Sequence, residues 1–128
     1  MHRRPIMALV EAESGRRDAT AGALSAMGHI VRCFGSASGA GSLDADLAIL
    51  DMDGGGSCDV ARMAVLRDGS AAAILAVTAS PDPVDRIAAL EAGADDAVVG
   101  PLPFQELAAQ VAGLLERRGA PARELLRL

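Results

Sequence analysis

Lysine, tryptophan and tyrosine are all absent from this sequence of 128 residues, and its twelve basic residues are therefore all arginines. Any site that normally relies on a lysine ammonium must do without one or use an arginine in its place. Aromatic residues make up only 2% of the chain, although hydrophobic residues make up 51%. We therefore expect one domain whose core is built from Ala, Val, Ile, Leu and Met.

Other absences exclude whole classes of protein. The net charge of −5 argues against nucleic-acid binding by this domain, because such domains present basic surfaces. The first apolar stretch, residues 6–10, is too short for a signal peptide, and no run approaches the length of a membrane span. Cys33 and Cys58 lack the spacing of a metal site. We expect both to be reduced thiols in a cytoplasmic protein without a membrane partner.

Short apolar segments of strand character alternate with segments of helical character. Ser14 and Asp82 are predicted helix caps, and Gly28 and Gly93 are predicted helix ends. The predicted strands are 6–10, 29–34, 46–50, 72–77 and 97–99; the predicted helices are 14–27, 57–67, 83–93 and 103–117, with a short, weak helix within 35–42. This alternation predicts an α/β, flavodoxin-like (βα)5 fold, with a parallel sheet in order 2-1-3-4-5 and helices on both faces.

Candidate functional residues follow four of the predicted strands. Asp51 and Asp53 come at the end of an apolar run, directly before three glycines at 54–56. The carboxyl ends of parallel strands meet at one edge of the sheet, where ligands of open α/β sheets bind. We therefore expect Glu11, Asp51, Thr78 and Gly100 to surround one shallow pocket.

Three segments, residues 46–53, 73–80 and 85–102, resemble the receiver domain of bacterial two-component response regulators. The resemblance covers about residues 5–118, so residues 1–118 are expected to form the receiver domain. Residues 119–128 are expected to be a linker or tail. Their apolar and basic end is similar to the start of a winged-helix DNA-binding domain, which would be an effector domain beyond this chain.

The resemblance implies a role for each site residue. Asp51 stands at the position of the phosphoacceptor, which takes a phosphoryl group from a histidine kinase, and Thr78 stands at the position of the switch hydroxyl. Glu11 matches the first acid of the magnesium site, and Asp53 matches the residue whose backbone carbonyl completes it. The implied partners are a histidine kinase or an effector domain, and no enzyme activity is implied.

Three departures from the family put this chemistry in doubt. Ala12 replaces the main metal-binding aspartate, Gly100 replaces the lysine that pairs with the phosphoryl oxygens, and Ala97 replaces the switch aromatic. A charge-assisted contact contributes roughly 1.5–3 kcal/mol, so the loss of the lysine alone is costly. Magnesium binding to Glu11, Asp51 and Asp53 is expected to be weak. The sequence therefore predicts an atypical receiver that regulates its output, transcription, largely without phosphorylation of Asp51.

The resemblance also implies a homodimer through helix four, strand five and helix five. Its expected contact residues are Arg86, Ile87, Leu90, Glu106 and Val111.

Two other functions stay open from the residues themselves. Residues 50–54 also resemble the first motif of haloacid-dehalogenase-like phosphatases, in which Asp51 would be the nucleophile and Asp53 the acid/base. Alternatively, the backbone amides of residues 54–57 could bind a small anion without catalysis.

Overall fold

The computed structural model describes residues 4–41, 43–52 and 57–127, with side chains described throughout these ranges except at 38, 57–59 and 118–127. Its elements are β1 (Ile6–Val10), α1 (Ser14–Ala26), β2 (Ile30–Phe34), α2 (Ala37–Ala40), β3 (Leu47–Met52), α3 (Ser57–Gly69), β4 (Ala73–Thr78), α4 (Pro83–Ala92), β5 (Asp96–Val99) and α5 (Phe104–Arg127). The strands are parallel in the order β2-β1-β3-β4-β5. The predicted doubly wound fold is confirmed.

The sheet separates two apolar layers, because successive side chains of a strand point to opposite faces. The layer on the side of α2, α3 and α4 includes Ala8, Val10, Ala48, Leu50, Ile74, Ala76, Met63, Leu66 and Ala89. The layer on the side of α1 and α5 includes Met7, Leu9, Leu47, Ile49, Leu75, Leu24, Leu107, Val111 and Leu114. Apart from Phe34, which packs at the edge of the first layer, these layers are aliphatic, as the shortage of aromatic residues requires.

Several element boundaries differ from those that the sequence predicts. The cap of α1 is Glu13 and not Ser14, because the longer Glu13 side chain accepts hydrogen bonds from the amides of Gly15 and Arg16. Strands β3 and β4 continue beyond the predicted ends, because Asp51 pairs with Val77 and Met52 pairs with Thr78 in the ladder. Asp51 and Thr78 therefore lie among the last two residues of their strands, where the sheet pairing holds their backbones.

Helix α4 begins and ends as predicted. Asp82 caps it by accepting a hydrogen bond from Val84, Pro83 occupies its first turn, and Gly93 follows its last residue with a φ of 128°. Helix α5, in contrast, continues to Arg127 and does not end near residue 117. Residues 122–127 are mostly strong helix formers, which accounts for the difference. Within the described ranges, no helix is both long enough and apolar enough to cross a membrane.

Candidate functional site at the carboxyl edge of the sheet

The strand ends bring the predicted residues together. Glu11, Asp51, Thr78 and Gly100 all line one cavity of about 630 Å³ at the carboxyl edge of the sheet. Their predicted convergence is confirmed. The cavity is larger than the shallow pocket we expected, since it extends between α1 and α5.

Small side chains keep this cavity open. Its wall on α1 includes Ala19 and Ala23, whose methyl side chains leave space between α1 and α5. Most of the remaining wall is apolar and includes Leu9, Ile49, Val77, Leu102, Phe104 and Leu107, although Thr20 also lines it. The cavity thus combines a few polar and charged groups with a mostly apolar lining, which is typical of small-molecule sites.

Glu11 is the buried acid of the site. Only 3% of this residue is exposed, and its backbone amide donates to the carbonyl oxygen of Phe34 at 3.1 Å. Its Oε1 accepts a hydrogen bond from the amide of Glu13 at 2.9 Å. The β1–α1 turn therefore holds this carboxylate in one orientation, facing Asp51 of the neighbouring strand β3.

Arg16, which sequence reasoning missed, lies against both carboxylates. Its Nη2 is 3.2 Å from Oε1 of Glu11 and 3.4 Å from Oδ2 of Asp51. Its Nε is 4.0 Å from Oε2 of Glu13. The hydrogen bond with Glu11, followed by the charges of Glu11 and Asp51, raises the pKa of Arg16 above its ordinary value. One guanidinium thus links three acids of the β1–α1 turn and of β3.

The pKa of the neighbouring Glu13 is shifted in the opposite direction from that of Arg16. Hydrogen bonds from the amides of Arg16 and Gly15 lower the pKa of Glu13 below its ordinary value. Its carboxylate is therefore held as the anionic cap of α1 and orients the first turn of that helix. The sequence did contain a signal for Arg16: it lies three residues after Glu13, in the helix turn that follows a site acid.

The donor set present does not fit a magnesium ion. Mg²⁺ requires near-octahedral oxygen ligands at about 2.0–2.1 Å. Glu11 and Asp51 both contact the Arg16 guanidinium, and the adjacent Ala12 is exposed and has no carboxylate. Among the residues that the structure describes, no group of three His, Cys, Asp or Glu side chains is placed to hold a metal. A cation already lies where a metal would contact these two acids.

Thr78 is a buried residue at the end of β4. The residue is 2% exposed, and its Oγ1 accepts a hydrogen bond from the amide of Ser80 at 3.1 Å. Its carbonyl oxygen accepts from the amide of Gly100 at 2.9 Å. Thr78 and Asp51 line the same cavity.

Gly100 has no room for a side chain in this arrangement. A Cβ atom built there would overlap Cγ1 of Val77 on the neighbouring strand. The β-branched Val77 has few alternative rotamers with which to move aside. At the position of the family's lysine, this chain therefore has a glycine, and Val77 leaves no room there for a side chain.

The predicted dimer residues do not all lie on the surface. Val111 is fully buried in the layer beneath α5, where it packs with Leu107 and Leu114, so its placement on a dimer face is wrong. Leu90 is half-buried against the opposite core layer. Ile87 is 51% exposed, and Glu106 is also exposed.

Arg86 makes a hydrogen bond and an ion pair with residues of β5 in the same chain. Its Nε donates to the carbonyl oxygen of Ala97 at 2.8 Å, and its Nη2 is 3.6 Å from Oδ1 of Asp96. Ala97, at the position of the switch aromatic, is 2% exposed within β5. Asp53 and the glycines at 54–56 lie outside the described residues, as do the metal and anion-binding roles predicted for them.

No protein-family profile matches the chain. It is 40% identical over 80 residues to the transcriptional regulatory protein PrrA of Mycobacterium leprae, a match that covers 62% of this chain and 32% of that protein. It is 39% identical over 88 residues to the TorCAD operon transcriptional regulatory protein TorR of Escherichia coli K12, covering 64% of this chain and 38% of TorR. The chain thus matches well under half of the length of these relatives.

Solved structures extend the match over nearly the whole chain. The receiver domain of the TMAO respiratory system response regulator TorR is 31% identical, with a TM-score of 0.76, and the match covers 88% of this chain and 98% of that domain. A CheY-like response regulator receiver domain protein from Methanospirillum hungatei is 18% identical, with a TM-score of 0.79, and the match covers 93% of this chain and 99% of that one. The second match supports the fold alone.

Proposed function

This chain belongs to the receiver domains of response regulators, and from that premise we propose that it controls an output largely without phosphorylation of Asp51. The output that we propose is transcription, because PrrA and TorR are transcriptional regulatory proteins by name. A protein partner, either an effector domain or a kinase, would then set the conformation of the domain. A ligand or partner shifts such an equilibrium only through its different affinities for the two states.

The main support for this proposal is that Gly100 has no room for the side chain of a lysine. A phosphoryl group on Asp51 would need a cation for its oxygens, but the chain has no lysine and Val77 fills the space beside Gly100. Ala12 supplies no metal ligand, and the carboxylate of Asp51 already contacts Arg16. Since Ala97 also lacks the aromatic ring of the family's switch, capture, retention and readout of a phosphoryl group are all weakened.

The phosphatase hypothesis has less support. In that family the nucleophile ends the first strand of the core, whereas Asp51 lies on β3, after β1, α1 and β2. The described relatives are regulators. The anion-binding hypothesis concerns residues 54–57, and no contact of the described residues favours it.

Intact mass spectrometry tests the proposal directly. After incubation with a small phosphodonor and magnesium, we expect no stable species heavier by one phosphoryl group, because the product would lack its stabilising cation. A receiver domain with the full acid set and lysine, treated in parallel, should be modified. Stoichiometric modification that disappears in Asp51→Asn would contradict the proposal.

A cellular measurement extends this test to the output. In a reporter assay with the full-length protein, Asp51→Ala and Asp51→Glu should both leave expression near the wild-type level. Loss of output in Asp51→Ala at unchanged protein abundance would show that the carboxylate is needed for signalling.

We also propose that two copies of this domain associate through α4, β5 and α5. Four large apolar residues are conspicuously exposed there: Val84 at 66%, Ile87 at 51%, Val99 at 47% and Phe104 at 50%. Exposed apolar side chains near charged residues such as Arg86 and Glu106 are typical of a protein interface. In a two-fold dimer the same surface serves both copies.

The Ile87→Asp substitution should therefore weaken the dimer, because it places a charge in the apolar part of the interface. We expect the dimer dissociation constant to rise at least about tenfold, which corresponds to about 1.4 kcal/mol. Val65→Asp is the matched control, since Val65 is 48% exposed on α3, away from this surface. Sedimentation velocity measures both variants. Equal dimerisation of the two would argue against this interface.

A further inference from the structure

The cavity at the carboxyl edge of the sheet extends well beyond the charged groups of the site. Its volume of about 630 Å³ falls within the range of roughly 300–1,000 Å³ that is usual for small-molecule pockets. Between the two helices it is lined by Ala19 and Ala23 on the side of α1, and by Leu102 and Leu107 on the side of α5. This part of the cavity has the size and lining for the apolar body of a small organic molecule, whose burial would favour binding.

The charged groups at the strand ends give the cavity an excess of negative charge. The charged residues of its described lining are Glu11, Asp51 and Arg16, which provide two carboxylates and one guanidinium. The side chain of Glu11 is 5% exposed and that of Asp51 is 19% exposed, whereas that of Arg16 is 53% exposed. Solvent therefore screens the positive charge more than the two negative charges. A molecule inside the cavity meets a negative potential, which favours an organic cation over an anion.

The apolar lining and the excess charge together restrict the chemistry of the occupant. A free phosphate would meet the excess negative charge and would leave the apolar lining in contact with water. A purely apolar molecule would leave the shielded carboxylates without a new partner for the water that it displaces. A molecule with one ammonium group and an apolar body matches both parts of the lining.

We propose that this cavity binds a small amphipathic amine, with its apolar body between α1 and α5 and its ammonium group donating to the carboxylate of Asp51. Asp51 is the more accessible of the two lining acids. The inference deepens the proposed function and rests on it for the role of the amine, which would be the ligand that sets the conformation of the domain.

The lining also connects the cavity to the rest of the domain. Thr78 and Ala79 line it where β4 leads into the α4 connection, and Gly100, Pro101 and Leu102 line it in the connection from β5 to α5. A bound amine would contact the connections on both sides of α4 and β5. Any difference in these connections between two states of the domain would give the amine different affinities for the two states.

Three probes with the same apolar body separate the effect of charge from that of shape. Phenylbutylamine, phenylbutanol and phenylbutyrate each carry a phenyl ring at the far end of a short chain, and at neutral pH they are a cation, a neutral molecule and an anion. Each is titrated into the isotope-labelled protein, and the amide shifts of cavity residues such as Ala19, Ala23 and Leu107 are followed by NMR. We expect the amine to bind with a Kd below about 1 mM. It should bind at least about tenfold more tightly than phenylbutyrate, with phenylbutanol between them.

Ala23→Leu tests the position of the apolar body, because the larger side chain fills space between α1 and α5. It should weaken binding of the amine at least about fivefold, as the loss of contact with about two methylene groups would. Ala26→Leu is the matched control, since Ala26 lies on the same helix but is exposed and lies outside the cavity lining. It should stay within about twofold of the wild type. Ala19→Leu is a second variant of the lining, and circular dichroism establishes that each variant is folded.

Asp51→Asn tests the charge at the other end of the cavity. The lining carboxylates and guanidinium then balance, so the preference for the amine over phenylbutyrate should fall below about threefold. Asp18→Asn removes the same charge from an exposed residue of α1 that lies outside the lining. This control should keep the preference of the wild type.

The inference would be overturned by an amine that binds no more tightly than phenylbutyrate, or by an unchanged preference in Asp51→Asn. Wild-type affinity in folded Ala19→Leu and Ala23→Leu would also overturn it, as would amide shifts confined to residues outside the cavity. These outcomes are separate from the phosphodonor experiment. A chain that neither binds the amine nor takes a stable phosphoryl group contradicts this inference alone, whereas stable phosphorylation of Asp51 contradicts the proposed function.

Discussion

Replacing Val111 by aspartate is expected to destabilise this domain by more than about 4 kcal/mol, because it buries an unpaired carboxylate. Val111 is fully buried, and it packs with Leu107 and Leu114 beneath α5. Small domains are typically stable by only about 5–15 kcal/mol, so this loss should remove a large part of the domain's stability. Urea denaturation followed by circular dichroism measures the change in the free energy of unfolding.

Ala112→Asp is the control for this substitution. Ala112 is the next residue of α5 and is exposed, so its replacement should cost no more than about 1 kcal/mol, mainly through the lower helix propensity of aspartate. A stable Val111→Asp variant that no longer dimerises would instead support the original placement of Val111 on the dimer face. Comparable losses in both variants would point to helix propensity as the cause.

Adding a side chain at Gly100 is expected to destabilise the domain by about 1–3 kcal/mol, as overpacking of a filled site generally does. The overlap with Cγ1 of Val77 arises at the Cβ atom itself. Gly100→Ala and Gly100→Lys should therefore lose similar amounts of stability. Restoring the family's lysine in sequence will not restore its site.

A double-mutant cycle isolates this overlap. Val77→Ala alone removes packing from the cavity wall and should be mildly destabilising. Combined with Gly100→Ala, it should recover part of the lost stability, with a coupling energy of about 0.5–3 kcal/mol that favours the double variant. Additive losses would contradict the steric explanation. Once room is made, Val77→Ala with Gly100→Lys is the appropriate background in which to repeat the phosphodonor experiment.

Local patterns predicted most of the architecture. Asp82, Pro83 and Gly93 define α4 because caps and helix ends depend on side chains within a few residues of each other. The same reasoning misassigned the cap of α1, because a glutamate is an uncommon cap and Ser14 is a common one. The predicted end of α5 was also wrong: residues 119–128 were expected to be a linker or tail, but residues 122–127 are mostly strong helix formers.

The convergence of Glu11, Asp51, Thr78 and Gly100 was predictable because the carboxyl ends of parallel strands always meet at one edge. The contact between Arg16 and Asp51 was not, because it spans 35 residues and depends on the rotamer of a long side chain. The helical spacing of Leu107, Val111 and Leu114 predicts their burial, which is confirmed, whereas the placement of Val111 on a dimer face was wrong. An apolar residue of α5 satisfies the helical period whether it contacts the sheet or a second copy of the domain.

By itself, then, the sequence determined the order of strands and helices, because that follows from local periodicity. The doubly wound sheet and the edge that carries the site follow from the handedness of chain crossovers. The absence of lysine, and of a carboxylate at position 12, is read directly from the residues. Only the tertiary structure decided that Arg16 contacts the two acids and that Val77 closes Gly100. Both depend on contacts between residues of different elements. Such contacts depend on how strands and helices pack against each other, and local sequence patterns do not predict that packing.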